Sequence, residues 1–252
     1  MDKPSETAGA QSLRRALHLL RLLAEHHEHG IRLAEVMAVS GLERSTAHRL
    51  LSCLVEERFA ERDDTGRAYR LGIDAMQLGF ASMRRVPLVD ICRPMMQKLA
   101  RMSGDTVFLV IRQGDYCLCL HREEGHFPVK VFTTDVGGRR LLGLGAGGLA
   151  LMAALSDAEV ERIFERHVDE YAQAGFTLTR LLQAVRRTRS AGHADIVDTL
   201  TTGVSGVGCT FAASPGTLAA ISFGAITPRL PPPRKQELAQ WLQAELSVKM
   251  SD

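Results

Sequence analysis

The residues best placed to do chemistry lie between Leu33 and Leu54, in the stretch LAEVMAVSGLERSTAHRLLSCL. On a helix beginning near Glu43, the apolar residues Ala47, Leu50, Leu51, Leu54 and Val55 fall at i, i+3, i+4, i+7 and i+8 and make one buried stripe. Arg44, Ser45, Thr46, His48, Arg49 and Ser52 are left to face outward. Two guanidinium forks, an imidazole and three hydroxyls at one helix start can donate to phosphates and grip guanine edges, which is the chemistry of duplex DNA recognition. The plainer alternative is a solvated face on a small helical pair, and the flanking segments weigh against it.

Those segments must hold the helix in place. Leu33, Val36 and Met37 sit at i, i+3 and i+4 and predict a shorter helix to Val39. Ser40-Gly41-Leu42 breaks it, because Gly tolerates the positive φ of a tight helix exit. Upstream, Ser12 stands where an N-cap would, and Leu13, Ala16, Leu17, Leu20, Leu23 and Ala24 predict a first helix to about His26. Downstream, Asp63-Asp64-Thr65-Gly66 is a turn signal inside residues 59 to 71, so a β-hairpin is expected there. It carries Arg62, Arg67 and Arg70 toward phosphates or the minor groove. Three helices followed by a hairpin is the order of a winged helix-turn-helix. Residues 1 to 71 hold eleven basic and eleven acidic side chains, so a DNA surface must come from where Arg44, Arg49, Arg67 and Arg70 sit.

The whole chain has 252 residues, 45% hydrophobic and 24% charged, with a net charge of +2, the composition of an ordinary globular protein long enough for two domains. It contains no run of eighteen apolar residues, and the first ten are polar without an apolar core, so a cytoplasmic protein is expected. Five scattered cysteines, Cys53, Cys92, Cys117, Cys119 and Cys209, argue against a disulfide framework. Cys117 and Cys119 alternate along an apolar run and read as buried strand residues; C-x-C has no second ligand pair. His26, His27 and His29 precede the Gly30 stop and read as exposed. No metal and no cofactor is expected.

Further on, Ile73, Met76, Gln77, Phe80 and Met83 form an amphipathic helix that Pro87 ends. A second domain opens with a helix from Leu88 to Met102 whose inward residues are Leu88, Ile91, Cys92, Met95, Leu99 and Met102. Strands are expected at Thr106 to Arg112, Tyr116 to His121 and Phe127 to Thr133. The run from Val136 to Gly148 is rich in glycine and leads into a helix to Leu155. It lacks a Gly-x-Gly-x-x-Gly or Gly-Lys-Ser unit, which argues against a nucleotide site. Helices at Asp157 to His167 and Leu178 to Ala191 precede strands at His193 to Val197, Val204 to Ala212 and Leu218 to Ile226. Ser214-Pro215-Gly216 turns between the last two, and a helix from the Pro231 to Pro233 run to Leu246 closes the chain. The class is α+β, with a central antiparallel sheet and helices at both its ends.

The N-terminal segments SLRRALHLLRLLAE, LAEVMAVSGLERSTAHRLLSCLVEERFAERD and the Gly-Arg-x-Tyr-Arg-Leu-Gly of residues 66 to 72 resemble the isocitrate lyase regulator (IclR) family of bacterial transcription factors. The family usually has Pro where this chain has Glu43, an acid that also suits a helix N-terminus. VGGRRLLGLGAGGLALMAAL and GVSGVGCTFAASPGTLAAISFGAI extend the resemblance to a GAF-like effector domain. The resemblance implies residues 1–11 as a loose arm, 12–72 as the winged helix-turn-helix, 73–86 as a linker helix that packs on its counterpart in a second subunit, and 87–250 as the effector-binding domain. It implies operator DNA as partner and a homodimer or dimer of dimers. It also implies a cup for a small organic acid, with backbone N-H groups at Gly145 and Ala146, a hydroxyl at Ser222, and Gly206 and Gly224 on the last strands. Gly224 replaces a second serine of some relatives, and Ile196, with Asp198 nearby, stands where an acidic or polar residue is usual. A less polar cup fits a larger or more apolar acid than a two-carbon one.

Two rival readings are an enzyme using Cys209 or Ser222 as nucleophile, which no neighbouring His or acid supports since His193 and Asp195 on one strand read as ordinary surface residues, and a helix-turn-helix used only for protein contacts. A third leaves Gly145 to Gly148 with no role beyond close helix-sheet packing.

Overall fold

The computed structural model describes residues 10–63, 66–83, 88–214 and 216–249. The chain divides into two compact units, Met1–Pro87 and Leu88–Asp252. The first nine residues of the expected arm, Asp64 and Thr65 of the hairpin turn, the Pro87 stop and Pro215 lie outside the described residues.

In the first unit, α1 (Gln11–Glu25) is followed by β1 (Ile31–Arg32), α2 (Leu33–Ser40), α3 (Arg44–Glu56), β2 (Ala60–Arg62), β3 (Ala68–Leu71) and α4 (Ile73–Met83). Gly41 ends α2 at φ +67°, with its N-H on the Met37 carbonyl at 3.0 Å, and the Ser40 hydroxyl donates back to the Val36 carbonyl at 2.6 Å. The sharp exit lets α3 start three residues later. Ala47, Leu51 and Leu54 of α3 close a core with Leu19, Leu22, Leu23, Ile31, Val36 and Tyr69. The hairpin is held by Asp63, whose Oδ1 accepts from the Arg67 and Ala68 N-H groups at 2.8 and 3.1 Å. β3 is the middle strand, because β1 pairs with its other edge through Ile31 opposite Tyr69 and Arg32 opposite Ala68.

Two expectations in this unit fail. Ser12 lies inside α1, whose N-cap is Ala10. Leu13 and Leu17 point outward, 60% and 41% exposed, while Leu19, Leu22 and Leu23 are buried. In a helix with leucine on several faces, more than one stripe satisfies the 3.6 period, and the one that meets Val36 and Leu51 wins.

The second unit runs α5 (Leu88–Ser103), β4 (Thr106–Gln113), β5 (Tyr116–Glu123), β6 (Arg139–Leu141), α6 (Ala146–Ala153), α7 (Asp157–Arg166), α8 (Val168–Gln173), α9 (Leu178–Ala191), β7 (Ala194–Val197), β8 (Val204–Ser214), β9 (Thr217–Ile226) and α10 (Pro232–Lys249). The sheet is antiparallel throughout, in the order β6-β5-β4-β9-β8-β7. Strand alternation sends Val107, Leu109, Ile221 and Phe223 into one core with α5 and α10. Phe108, Val110, Cys117 and Ala220 go to the other, with α6, α7 and α9. The helices therefore cover the two faces of the sheet and not its ends.

Phe127 to Thr133 is not a strand. Val131 is buried while Val129, which would share its side in a strand, is exposed like Phe132, so the alternation in the sequence is not realised, and the strand that pairs with the start of β5 is β6, with Arg140 opposite Cys117. In α5, Ile91 and Met102 face outward, and Met96 and Ala100 take the inward positions.

Candidate functional site

In the first unit the α3 surface carries Arg44, Ser45, His48 and Arg49 exposed, with Thr46 and Ser52 half-buried. Glu43 occupies the N-cap in extended conformation (φ −60°, ψ 146°), so the first free N-H groups of α3 lie beside Arg44 and Ser45. The wing offers Arg67 exposed at its tip. Arg62 stacks over the Tyr69 ring at 5.2 Å. Arg70 differs from both, because its stem lies along Gly30: a Cβ built on Gly30 would be 3.3 Å from Arg70 Nε, and that nitrogen is buried without a hydrogen-bond partner among the described residues. Exposed cations and hydroxyls on one helix and one hairpin tip can hold a phosphate backbone and reach base edges.

In the second unit a cavity of about 650 Å³, counting its open mouth, lies between α6 and the sheet. Gly145, Ala146, Gly206, Ser222 and Gly224 all line it. The sheet approaches the start of α6 closely because glycines face it. A Cβ on Gly147 would lie 2.7 Å from Val110 Cγ2, and one on Gly208 would lie 2.9 Å from the Ala146 carbonyl. So the packing role of these glycines is real. It also exposes backbone, since the N-H groups of the first turn of α6 have no acceptor within the helix and Gly145, its N-cap, supplies no side chain. Ser222 is 94% buried, and its hydroxyl, near Gly147, makes no hydrogen bond among the described residues. Phe108, Val110, Ile196 and Phe223 give the cup an apolar body. Asp198 is engaged elsewhere, its Oδ1 accepting from the Gly203 N-H at 2.7 Å and from the Thr227 hydroxyl at 3.0 Å.

One lining residue has no counterpart in the sequence reading. Arg140 projects from β6 into the cup wall, where its guanidinium donates to the Thr133 carbonyl. Its neighbour Arg139 goes the other way and lies over the Tyr116 ring at 4.4 Å. The glycines around them drew attention to backbone conformation; the signal for Arg140 was two consecutive arginines at a short strand, which alternation must send to opposite sides.

The nucleophile readings lose their support. Burial pushes Cys209 up to about 12 and Cys117 and Cys119 up to about 11, so all three are thiols near neutral pH. Asp195 is paired with Lys235 at 2.5 Å, His193 lies 3.1 Å from the Ala191 carbonyl, and neither reaches Ser222. No cluster of three metal-ligating side chains exists among the described residues. No described helix is long and apolar enough to cross a membrane.

The sequence profile of the IclR helix-turn-helix domain matches residues 12–64, and that of the bacterial transcriptional regulator IclR C-terminal domain matches residues 80–248. The chain belongs to the IclR family. It is a DNA-binding transcriptional regulator, and its relatives are regulators and not enzymes. The transcriptional regulator BhcR of Paracoccus denitrificans is 31% identical over 193 residues, covering 75% of this chain and 67% of that protein. The transcriptional repressor IclR of Escherichia coli is 26% identical over 190 residues, covering 74% and 69%. Among solved structures, an IclR-family regulator from Brucella abortus superposes with a TM-score of 0.75 at 20% identity, covering 97% of this chain and 95% of its own. An IclR homolog from Microbacterium hydrocarbonoxydans, solved with 4-hydroxybenzoate, gives 0.72 at 20% identity, covering 94% and 100%. The IclR fold is thus shared across both units.

Proposed function

We propose that this IclR-family regulator is switched by a small carboxylic acid held in the cup between α6 and the sheet. The observation that carries the reading is Ser222, a buried residue whose hydroxyl lines the cup beside Gly147 in the first turn of α6 and has no side-chain hydrogen bond among the described residues. A helix N-terminus favours a carboxylate, and a hydroxyl there adds a charge-assisted hydrogen bond. The apolar remainder of the cup suits an acid with a sizeable hydrocarbon body. The Microbacterium hydrocarbonoxydans homolog was solved with 4-hydroxybenzoate, which makes benzoates the first acids to try.

On the DNA side, α3 enters the major groove with Arg44, Ser45, Thr46, His48, Arg49 and Ser52, and Arg67 and Arg70 of the wing lie against the adjacent backbone. The protein acts as a homodimer or homotetramer. Ile73, Met76, Leu78 and Phe80 of α4 are exposed apolar residues that a second copy would cover. The test is a gel shift on the DNA upstream of the protein's own gene, titrated with candidate acids. Retarded DNA whose affinity responds to one acid is the expected result; retardation indifferent to every acid would overturn the switch, and none at all would overturn the operator assignment.

A further inference from the structure

Among the described residues Arg140 is the only cation lining the cup, and its electrostatic situation is unfavourable as it stands. Desolvation by burial lowers its pKa, and no carboxylate is among the groups that act on it: these are the thiols of Cys117 and Cys119. Its one hydrogen bond goes to the neutral Thr133 carbonyl, and it forms no ion pair among the described residues. It also sits beside a second positive end. A Cβ built on Gly145 would lie 3.3 Å from Arg140 Nη1, so the guanidinium abuts the N-cap of α6, where the helix dipole carries about half a positive charge. Arg140 is half-buried, so the repulsion between the two positive ends is only partly screened by solvent, and a partly desolvated cation without a counter-ion is disfavoured. An anion between them relieves both terms at once.

We infer that Arg140 is the specificity-determining residue of this cup: it restricts the effector to organic anions, pairing its guanidinium with a carboxylate that the first turn of α6 and the Ser222 hydroxyl also hold, with the hydrocarbon body against Phe108, Ile196 and Phe223. The inference rests on the cup being the effector site. It adds that charge, beyond shape and dipoles, selects the ligand. A neutral isostere of the same acid leaves the guanidinium unpaired and is rejected.

The experiment is isothermal titration of the full chain with benzoate and with benzamide, its neutral isostere, alongside formate, acetate, pyruvate and hexanoate. The wild type should bind benzoate at least about tenfold more tightly than benzamide, as expected for a hydrogen-bonded charge pair. Arg140→Met should lose about ten- to 150-fold in benzoate affinity and leave benzamide unchanged, so the discrimination disappears. Arg140→Gln, which retains a donor for the Thr133 carbonyl, guards against a folding defect and should lose the same discrimination. Arg140→Lys should restore part of it. Without ligand, the Met variant should melt at or above the wild-type temperature, because the isolated cation is gone. Benzoate preferred as strongly by the Met and Gln variants as by the wild type would overturn the inference and leave the anion to the helix and Ser222. Binding of no carboxylate in the panel by the wild type is a different failure, which overturns the carboxylic-acid reading and this inference with it.

Discussion

The Phe108 ring fills the space that a side chain at Gly224 would need: a Cβ there would lie 3.0 Å from Phe108 Cε2 and 3.6 Å from Val131 Cγ1. The two residues are complementary, an aromatic ring on β4 against bare backbone on β9. Serine at position 224 should therefore push the ring aside and destabilise the second unit by about 1 to 3 kcal/mol, the usual cost of overpacking. Denaturant midpoints of the wild type and Gly224→Ser measure this. Equal midpoints would mean that the ring has room to move.

On α3, Arg44 and Arg49 are exposed while Leu51 is fully buried. Arg44→Ala and Arg49→Ala should each weaken operator binding by about 1 to 3 kcal/mol where the contact is bidentate to guanine, with unchanged melting temperatures. Leu51→Ala should lose roughly 2 to 5 kcal/mol of stability through the cavity it leaves. Leu51 is a sharper core probe than Leu50, which is only half-buried. Full operator affinity in both arginine variants would remove α3 from the DNA.

Ser222→Ala should raise the dissociation constant of the effector about ten- to 150-fold, the equivalent of one hydrogen bond to a charged group. Operator affinity without effector should stay the same, and saturating effector should still give the full shift, since coupling is reciprocal. Superimposable titrations for the two proteins would place the ligand elsewhere.

Burial pushes Cys117 and Cys119 up to about 11 and Cys209 up to about 12, from an ordinary value of 9.0. Tyr116, pushed up to about 12, acts in the same direction. The folded state holds protons that the unfolded chain has released, so stability is complete below about pH 9 and falls as pH rises from there toward 11. Denaturant midpoints at pH 8 and pH 10 should differ in that sense. Iodoacetamide at pH 8 should label Cys53, the exposed cysteine, and spare the other four. Rapid labelling of Cys117 or Cys209 in the folded protein contradicts the burial argument.

The parts of the fold legible in the sequence are those where one pattern has one solution. The α3 stripe could be placed because its apolar residues occupy a single face, and Gly41 because only a positive φ turns the chain there. The α1 face could not, since Leu13-Leu17-Leu20 and Leu19-Leu22-Leu23 satisfy the same period and only contact with Val36 decides. The alternation of Phe127 to Thr133 has the look of a strand, but its Val129 and Val131 end in different environments, and the strand that joins β5 is β6, only three residues long and too short to announce itself. In the cup, Ser222 and the glycines carried a readable signal through their motif. Arg140 did not, because its meaning comes from what is missing around it.

β1 is only two residues long, yet Arg32 serves two masters: its backbone pairs with Ala68 of the wing, and its N-H, at 2.8 Å from Glu35 Oε2, starts α2. Wing, helix pair and turn are thereby riveted into one solid die. If two copies bind as proposed, each die reads one half-site, and a switch that leaves the die intact is expected to show itself in the half-site spacing the pair accepts.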